Sequence, residues 1–388
     1  MTVCDITQFW SPFSGGVRRY VAEKIRYLRE RVPGGRHLLI IPGARDEVSG
    51  DDTARTYTIG SPAVSRITGY RVLLRLHEIE RILAVERPDI VECGDPYQVG
   101  WRTAGACERL GIPAVAFYHS HFAESELRPL GKWLGSRGTE LLIDLAGRHC
   151  GRLYNRFART LVPSPMLSRV LAGWGVRNTC DVDLGVDPVR FHPRDEPKEA
   201  IRRRLGIPAG ARVLLSVGRL AAEKNTRGLC EAFRLLTARS PGEYHLLITG
   251  EGLQRDLVAQ LRADTGAVTW LPFVSDAQEL LGFYHAADLF VHPGVKETFG
   301  LVTLEAHACA LPVVGIRGTA MDRVVCHTQS FWAAVNTPDA LADAVARAFG
   351  HDLPALGAAA VLARFTWREV FARMFDVHRE VIQDYPRR

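Results

Sequence analysis

A chain of 388 residues, 47% hydrophobic and 24% charged, holds material for two globular cores of ordinary size. Its longest apolar runs, such as "HLLIIPGA" (37–44) and "VLLSV" (213–217), are strand-length, far short of the roughly 20 residues that a membrane-spanning helix needs. A net charge of +6, from 49 Lys and Arg against 43 Asp and Glu, suits a phosphorylated ligand or an anionic surface and is too dispersed for nucleic acid.

The N-terminus, "MTVCDITQFW", has no basic region leading into an apolar stretch, so no secretory signal is read and a cytoplasmic location is expected. The eight cysteines are scattered, with no CxxC and no His/Cys pair at metal-ligand spacing. They read as free thiols in a reducing compartment, and no metal site is expected.

Along the chain, "SPFSGGVRRY" (11–20) sets Gly15 and Gly16 between a short strand and a helix. Paired glycines there either let backbone N–H groups approach an anion or make a tight turn. "GVRRYVAEKIRYLRER" (16–31), "RVLLRLHEIERILAVERP" (71–88) and "RTAGACERLG" (102–111) carry apolar residues at helical period. Between them "RHLLIIPGA" (36–44), "DIVECGDP" (89–96), "PAVAFYHSH" (113–121) and "RTLVPSP" (159–165) read as buried strands. Alternation of this kind predicts a parallel sheet with helices on both faces. His119 and His121 share a face at the end of their strand, as substrate partners or as satisfied structural histidines. From Arg128 to Arg159 the chain is basic and carries Trp133 and Leu134, which describes either an anionic-membrane contact or a solvated basic surface.

The pattern restarts after the polar, proline-bearing stretch 184–200. Strands are predicted at "ARVLLSVGRL" (211–220), "YHLLITGEG" (244–252), "VTWLPFVS" (268–275), "DLFVHPG" (288–294) and "LPVVGIRG" (311–318). In open parallel sheets ligands bind outside the carboxyl ends of the strands, so the strand-end residues are the candidates. Arg219 and Lys224 in "VGRLAAEKN" suit a diphosphate, or are two surface cations. Gly250 and Gly252 permit close backbone approach, and Val274 could offer backbone groups to a flat base. In "VKETFGLVTLEAHA" (295–308), Glu297 precedes a turn into a helix, where the N–H groups of Phe299, Gly300 and Leu301 favour a phosphate. Glu305 lies further along that helix among the apolar Leu304, Ala306 and Ala308. A carboxylate accepts two hydroxyl donors and suits a sugar or ribose diol, and a buried unpaired acid needs a reason. The last segment, 365–385, predicts a strongly amphipathic helix.

Taken together, these residues resemble the nucleotide-sugar glycosyltransferases of the GT-B fold, and more closely the retaining glycosyltransferase family 4. "ETFGLVTLE" (297–305) is similar to the family's E-x7-E signature, "VGRLAAEKN" to its GR…EK diphosphate motif, "SGGVRRYV" to its N-terminal glycine loop and "ITGEG" to its second-domain strand end. The resemblance covers essentially the whole chain. It implies two facing doubly wound, Rossmann-like α/β domains, 1–185 on the acceptor side and 186–364 binding the nucleotide sugar, with a helix in 365–388 crossing back onto the first. It also implies roles. Glu297 binds donor-sugar hydroxyls and Glu305 the ribose. Arg219 and Lys224 neutralise the diphosphate, the backbone from Phe299 to Leu301 holds the distal phosphate, Gly16 approaches the phosphate, and His119 stands near the sugar. No metal or other cofactor is implied. Two departures stand out: "TAMDRVVCHTQSFWAAVNTP" (319–338) replaces the family's usual GG…E loop, and "FYHSHF" is a less usual histidine region.

The expected activity is retaining transfer of a hexose from GDP-mannose or a UDP-hexose to a hydroxyl of a glycan or lipid-linked acceptor, with peripheral membrane contact through 128–159. Other readings use the same fold and site. An epimerase would consume the nucleotide sugar without an acceptor, a phosphorylase would need phosphate or a pyridoxal lysine for which no motif stands here, and a degenerate member would bind nucleotide or glycan without turnover.

Overall fold

The computed structural model describes residues 1–11, 15–64, 69–118, 131–194, 197–274, 276–319, 321–324, 331–350 and 363–386, with the backbone alone at 131–134. The chain divides into two compact units, Met1–Leu184 with Trp367–Arg388, and Gly185–Thr366.

The first unit runs β1 (Thr2–Ile6), α1 (Gly15–Arg31), β2 (Arg36–Gly43), β3 (Glu47–Gly50), β4 (Ala54–Gly60), α2 (His77–Glu86), β5 (Ile90–Cys93) and α3 (Gln98–Leu110). It continues through β6 (Ala114–Phe117), α4 (Gly131–Tyr154), β7 (Arg159–Val162), α5 (Pro165–Gly173) and β8 (Thr179–Asp181). Its sheet has the order β3-β4-β2-β1-β5-β6-β7-β8, parallel except for the β3–β4 hairpin. The strands are short runs such as "LLII" in β2 and "AVAF" in β6 whose side chains are buried on both faces, which is why they read as continuous apolar stretches. Local chemistry sets the helix ends. Ser164 accepts from the Leu167 N–H at the start of α5, with Pro165 in the first turn, and Gly111 takes a left-handed conformation (φ 66°) after α3.

The second unit runs α6 (Lys198–Arg204), β9 (Arg212–Val217), α7 (Thr226–Arg239), β10 (Tyr244–Thr249), α8 (Arg255–Thr265), β11 (Val268–Leu271), α9 (Ala277–Ala286) and β12 (Leu289–Val291). Then come α10 (Leu301–Ala308), β13 (Val313–Ile316), α11 (Met321–Val324), β14 (Trp332–Ala333) and α12 (Pro338–Phe349). All its strand pairs are parallel, in the order β11-β10-β9-β12-β13-β14.

The final helix, α13 (Trp367–Asp384), groups with the first unit. Phe371 and Phe375 pack on Tyr27 of α1 at ring-centroid distances of 5.7 and 5.3 Å, and Phe371 on Tyr20 at 5.6 Å. Beneath these rings lies a buried ionic network. The wholly buried Lys24 sits 2.8 Å from Asp5 and 2.9 Å from Glu92, on adjacent strands β1 and β5, and His378 of α13 stands 3.4 Å from Glu92.

Some expectations need correction. The helix predicted over 71–88 begins only at His77. Arg71 pairs with Ala63 in an isolated bridge, and the Val72 N–H donates to the Pro62 carbonyl at 3.1 Å, so the chain is extended there. The β3–β4 hairpin has no counterpart among the predicted elements, because β3 is exposed throughout and carries no apolar signal. The seven described cysteines are free, and all but Cys180 are buried. Among the described residues no helix is long and apolar enough to cross a membrane.

Candidate active site

Chain progress reverses between β9 and β12. From β9 the strands proceed outward to β10 and β11; from β12 they proceed the other way to β13 and β14. Loops leaving two adjacent strands at such a reversal diverge, and the gap between their carboxyl ends is where open α/β sheets accept ligands.

The loop after β9 passes Gly218 and Arg219, makes a short 3-10 turn over Ala222–Lys224, and enters α7 through Asn225 in a left-handed conformation (φ 56°). The Asn225 amide donates to the Pro293 carbonyl at 3.1 Å and to Asn336 at 2.8 Å, which ties this turn to the loop after β12. Lys224 is thereby aimed across the reversal, and its ammonium donates to the Glu297 carboxylate. Glu297 is 9% exposed; the Lys224 side chain keeps 30%. Burial pushes the Glu297 carboxyl upward, but the Lys224 ammonium, and then His292 with Nε2 3.4 Å from Oε1, outweigh it and hold the carboxyl well below the usual carboxylate range. Between the two loops opens a narrow cleft walled by Gly218, Arg219, Lys224, His292, Pro293 and Gly294, with Ser216, Leu229 and Ile248 also in its lining. Arg219 is exposed over 69% of its side chain and meets Glu223 one turn on at 3.0 Å, a surface pair weak enough to yield to a stronger anion.

The turn into α10 is shaped by Gly300 (φ 95°). The backbone conformation favours glycine, and a Cβ at that position would lie 2.3 Å from Cε of the buried Met321, whose side chain would have to shift. Phe299 is buried and packs edge-on against Phe365 at 5.9 Å. The first bonds of the helix run from the Thr303 and Leu304 N–H groups to the Gly300 carbonyl. Among the described residues, nothing accepts from the amides of Phe299, Gly300 and Leu301, which leaves three donors at a positive helix end. Glu305 is buried, but it is not the unpaired acid expected: its Oε2 accepts from the Tyr284 hydroxyl at 2.8 Å.

The glycines of "ITGEG" serve the protein's own backbone. A Cβ on Gly250 would lie 1.9 Å from the Gly218 carbonyl oxygen, and one on Gly252 2.3 Å from that of Leu220. Their smallness lets the β9 and β10 loops stack, with Leu220 N–H to Glu251 O at 3.0 Å, and so supports Arg219 from behind. Val274 is half-buried beyond β11, two strands away from β9 in the sheet order.

Gly15 and Gly16 are the first two residues of α1 rather than a link before it. Neither has a positive φ, and among the described residues a Cβ on either would meet nothing within 4 Å. The residues 12–14 that precede them lie outside the described residues, so the choice between an anion site and a tight turn rests on the expectation from sequence. His119 and His121 lie outside the described residues. Sequence reasoning missed four participants: His292, Asn225, Tyr284 and Met321. His292 was legible as a polar residue closing "DLFVHPG" five positions before Glu297; the other three depend on which elements meet, which no local pattern states.

Residues 14–190 match the family described as Glycosyltransferase Family 4, and residues 197–352 the family Glycosyl transferases group 1. A GDP-mannose-dependent alpha-mannosyltransferase of Corynebacterium glutamicum is 30% identical over 327 residues, covering 82% of this chain and 72% of that protein. A GDP-mannose-dependent alpha-(1-6)-phosphatidylinositol dimannoside mannosyltransferase of Mycobacterium tuberculosis is 30% identical over 350 residues, covering 89% and 87%. Among solved structures, sucrose-phosphate synthase from Thermosynechococcus elongatus superposes with a TM-score of 0.77 at 20% identity, covering 99% of each chain. The chain therefore belongs to glycosyltransferase family 4 and is a nucleotide-sugar glycosyltransferase of the GT-B fold.

Proposed function

We propose that the protein transfers mannose from GDP-mannose to a hydroxyl of a glycan or lipid-linked acceptor, with retention of configuration. The carrying observation is the meeting of Lys224 and Glu297 at the strand reversal, beside the open amides that begin α10. The pair sets a positive group and a hydroxyl-accepting carboxylate side by side, which suits a sugar joined to a diphosphate. The two similar mannosyltransferases, both named for GDP-mannose, support the choice of donor.

Lys224, Arg219 and the amides of Phe299 to Leu301 take the diphosphate and stabilise its charge as it leaves. Glu297 accepts hydroxyls of the sugar. Glu305, oriented by Tyr284, accepts those of the ribose. The acceptor oxygen bonds to the anomeric carbon on the face from which the phosphate departs, and its proton passes to the departing phosphate oxygen. Protein cations and amides supply the neutralisation, so chelation with EDTA should leave turnover unchanged.

A lipid-linked acceptor would bring the protein to a membrane surface. On α4, Leu141 and Leu145 are 60% and 54% exposed one turn apart, with Arg137, Arg148 and Arg152 also exposed. Glu140 and Asp144 are exposed as well, and Asp144 pairs with Arg148 at 2.8 Å, so the contact is weak and peripheral. Co-sedimentation with vesicles containing anionic lipid, but not with neutral ones, is the expected result.

The donor is tested by thermal shift with GDP-mannose, UDP-glucose and ADP-glucose, followed by release of the nucleoside diphosphate. A ligand that binds only the native state raises its melting temperature. GDP-mannose should give the largest rise and be consumed only with an acceptor. A larger rise with a UDP-sugar reassigns the donor, and no rise with any of the three overturns the reading.

A further inference from the structure

The donor reading leaves the buried imidazole of the cleft without a task. His292 follows β12 directly, is 4% exposed and lines the cleft beside Gly218 and Lys224. Its backbone N–H donates to the Val314 carbonyl of β13 at 2.9 Å, so the side chain is rooted in the sheet. The ring is also closely packed: a Cβ on Gly294 would lie 2.9 Å from its Cε1. Its Nε2 stands 3.4 Å from Oε1 of Glu297, a loose contact, and its Nδ1 has no hydrogen-bond partner among the described groups. A buried imidazole with one long contact and one open nitrogen has bonding capacity that the resting molecule does not use.

The Lys224–Glu297 pair shows when that capacity is needed. In the resting cleft each charge is satisfied by the other. A diphosphate draws Lys224 away, and Glu297 then loses its main counter-charge while still almost wholly buried. Among the described residues His292 is the one other cation-capable group within 4 Å of that carboxylate.

Resting on the donor reading above, we propose that His292 is a positioning residue: its Nε2–H closes on the Glu297 carboxylate and holds it at the sugar once Lys224 has turned to the diphosphate. The sugar end of the site is then fixed by a residue that binds neither nucleotide nor phosphate. Loss of His292 should therefore disturb turnover more than nucleotide binding, which a merely packed core histidine would not do.

Two variants separate these roles. His292→Phe keeps the ring volume and removes the N–H; His292→Gln restores a donor near the Nε2 position. With GDP-mannose as substrate, H292F should lose about 10- to 100-fold in kcat, the scale of a misplaced group in a preorganised site, with KM within about threefold of wild type. Affinity for GDP alone, by calorimetry, should be unchanged, and H292Q should recover most of kcat. Wild-type kcat in folded H292F overturns the proposal. So does an equal loss in both variants accompanied by an equal loss of GDP affinity, which would mark simple packing. Should H292F fail to fold, H292Q decides: near-wild-type kcat supports the proposal, and a hundredfold loss with GDP affinity intact overturns it. A wild-type protein that turns over no nucleotide sugar defeats the donor reading and this proposal with it, whereas wild-type turnover with an unaffected H292F defeats this proposal alone.

Discussion

Lys224 and Glu297, 73 residues apart in sequence, form an ion pair across the strand reversal of the second sheet. The ammonium comes from the turn after β9 and the carboxylate from the loop after β12. Burying Glu297 is costly unless a cation attends it, so the pair holds the cleft in shape. It also means that a donor competes with a contact already made. Phosphate must take the lysine from the glutamate, and sugar hydroxyls must repay the glutamate for the loss.

Competition of this kind predicts opposite effects on the two ends of the donor. Glu297→Gln should lower turnover of GDP-mannose by about 10²–10³, comparable to removal of one transition-state hydrogen-bond partner. The same change frees Lys224, so GDP should bind as tightly as to wild type or more tightly. Lys224→Ala should instead weaken GDP at least tenfold. Calorimetry with GDP on both variants checks the pair of outcomes, and equal weakening by both would show that the two residues do not divide the donor as described.

The turn at Gly300 gives a structural prediction with a built-in control. Gly300→Ala meets two obstacles, a left-handed φ and the Met321 methyl 2.3 Å from the new Cβ. The backbone conformation alone costs about 1–2 kcal/mol. Adding Met321→Ala removes the collision and leaves the backbone cost. Relative to Met321→Ala alone, the glycine change should therefore cost less than it does in the wild-type background, a non-additivity read directly from denaturant melts. Additive costs would mean that the methionine yields freely.

Much of this architecture is legible in the amino-acid sequence, for a physical reason. Strands buried on both faces are mostly apolar, so β5, β9, β10 and β13 announce themselves. Their order places Arg219, Lys224 and Glu297 at carboxyl ends, and the loops do bring the last two together. What stays hidden depends on which elements meet. Leu73 and Leu76 mimic a helical stripe, yet residues 71–72 are extended because 61–63 lie alongside. The β3 edge is polar and silent. Gly250 announces a close approach without saying that the approaching group is the Gly218 carbonyl. His292 is visible as the polar residue just after β12, but only the approach of Glu297 gives it chemical meaning.

The buried network of the first unit predicts a pH dependence. Burial pushes the Asp5 and Glu92 carboxyls up, but Lys24 outweighs it and holds both below the usual range; burial pushes Lys24 down, and the two carboxylates more than reverse that. A depressed carboxylate adds stability that is present above its unfolded pKa of about 4 and is lost as pH falls through the folded value. A raised lysine adds stability that is complete below about 10.4 and is lost as pH rises through its folded value. Wild-type stability contributed by the contacts between Lys24 and these two carboxylates should thus be flat from about pH 5 to about 10 and fall in acid. Lys24→Met leaves two buried carboxylates without their cation and should cost about 3–5 kcal/mol at pH 7. Their pKa values then rise with burial, so the deficit should shrink toward pH 5. Melting curves between pH 5 and 9 decide; a deficit that stays constant with pH would sink the account.

The final test sets two glycines against each other. Gly250→Ala forces a Cβ to within 1.9 Å of the Gly218 carbonyl oxygen at φ 144°, where an L side chain is also strained. The β9 and β10 loops must part, and Arg219 and Lys224 move with them. Stability and GDP affinity should therefore fall together. Gly16 is the reverse case. It stands in the first turn of α1 without a positive φ and, among the described residues, with nothing within 4 Å of an added Cβ, so alanine there should leave the stability unchanged or raise it by up to about 1 kcal/mol of helix preference. If turnover of GDP-mannose nevertheless drops in Gly16→Ala, the loss cannot come from folding and must come from a ligand that needs the backbone bare. If turnover is untouched, Gly16 has no part in the reaction. Melting temperature and turnover measured on the same two preparations therefore separate a glycine kept for the protein's own packing from one kept for its substrate.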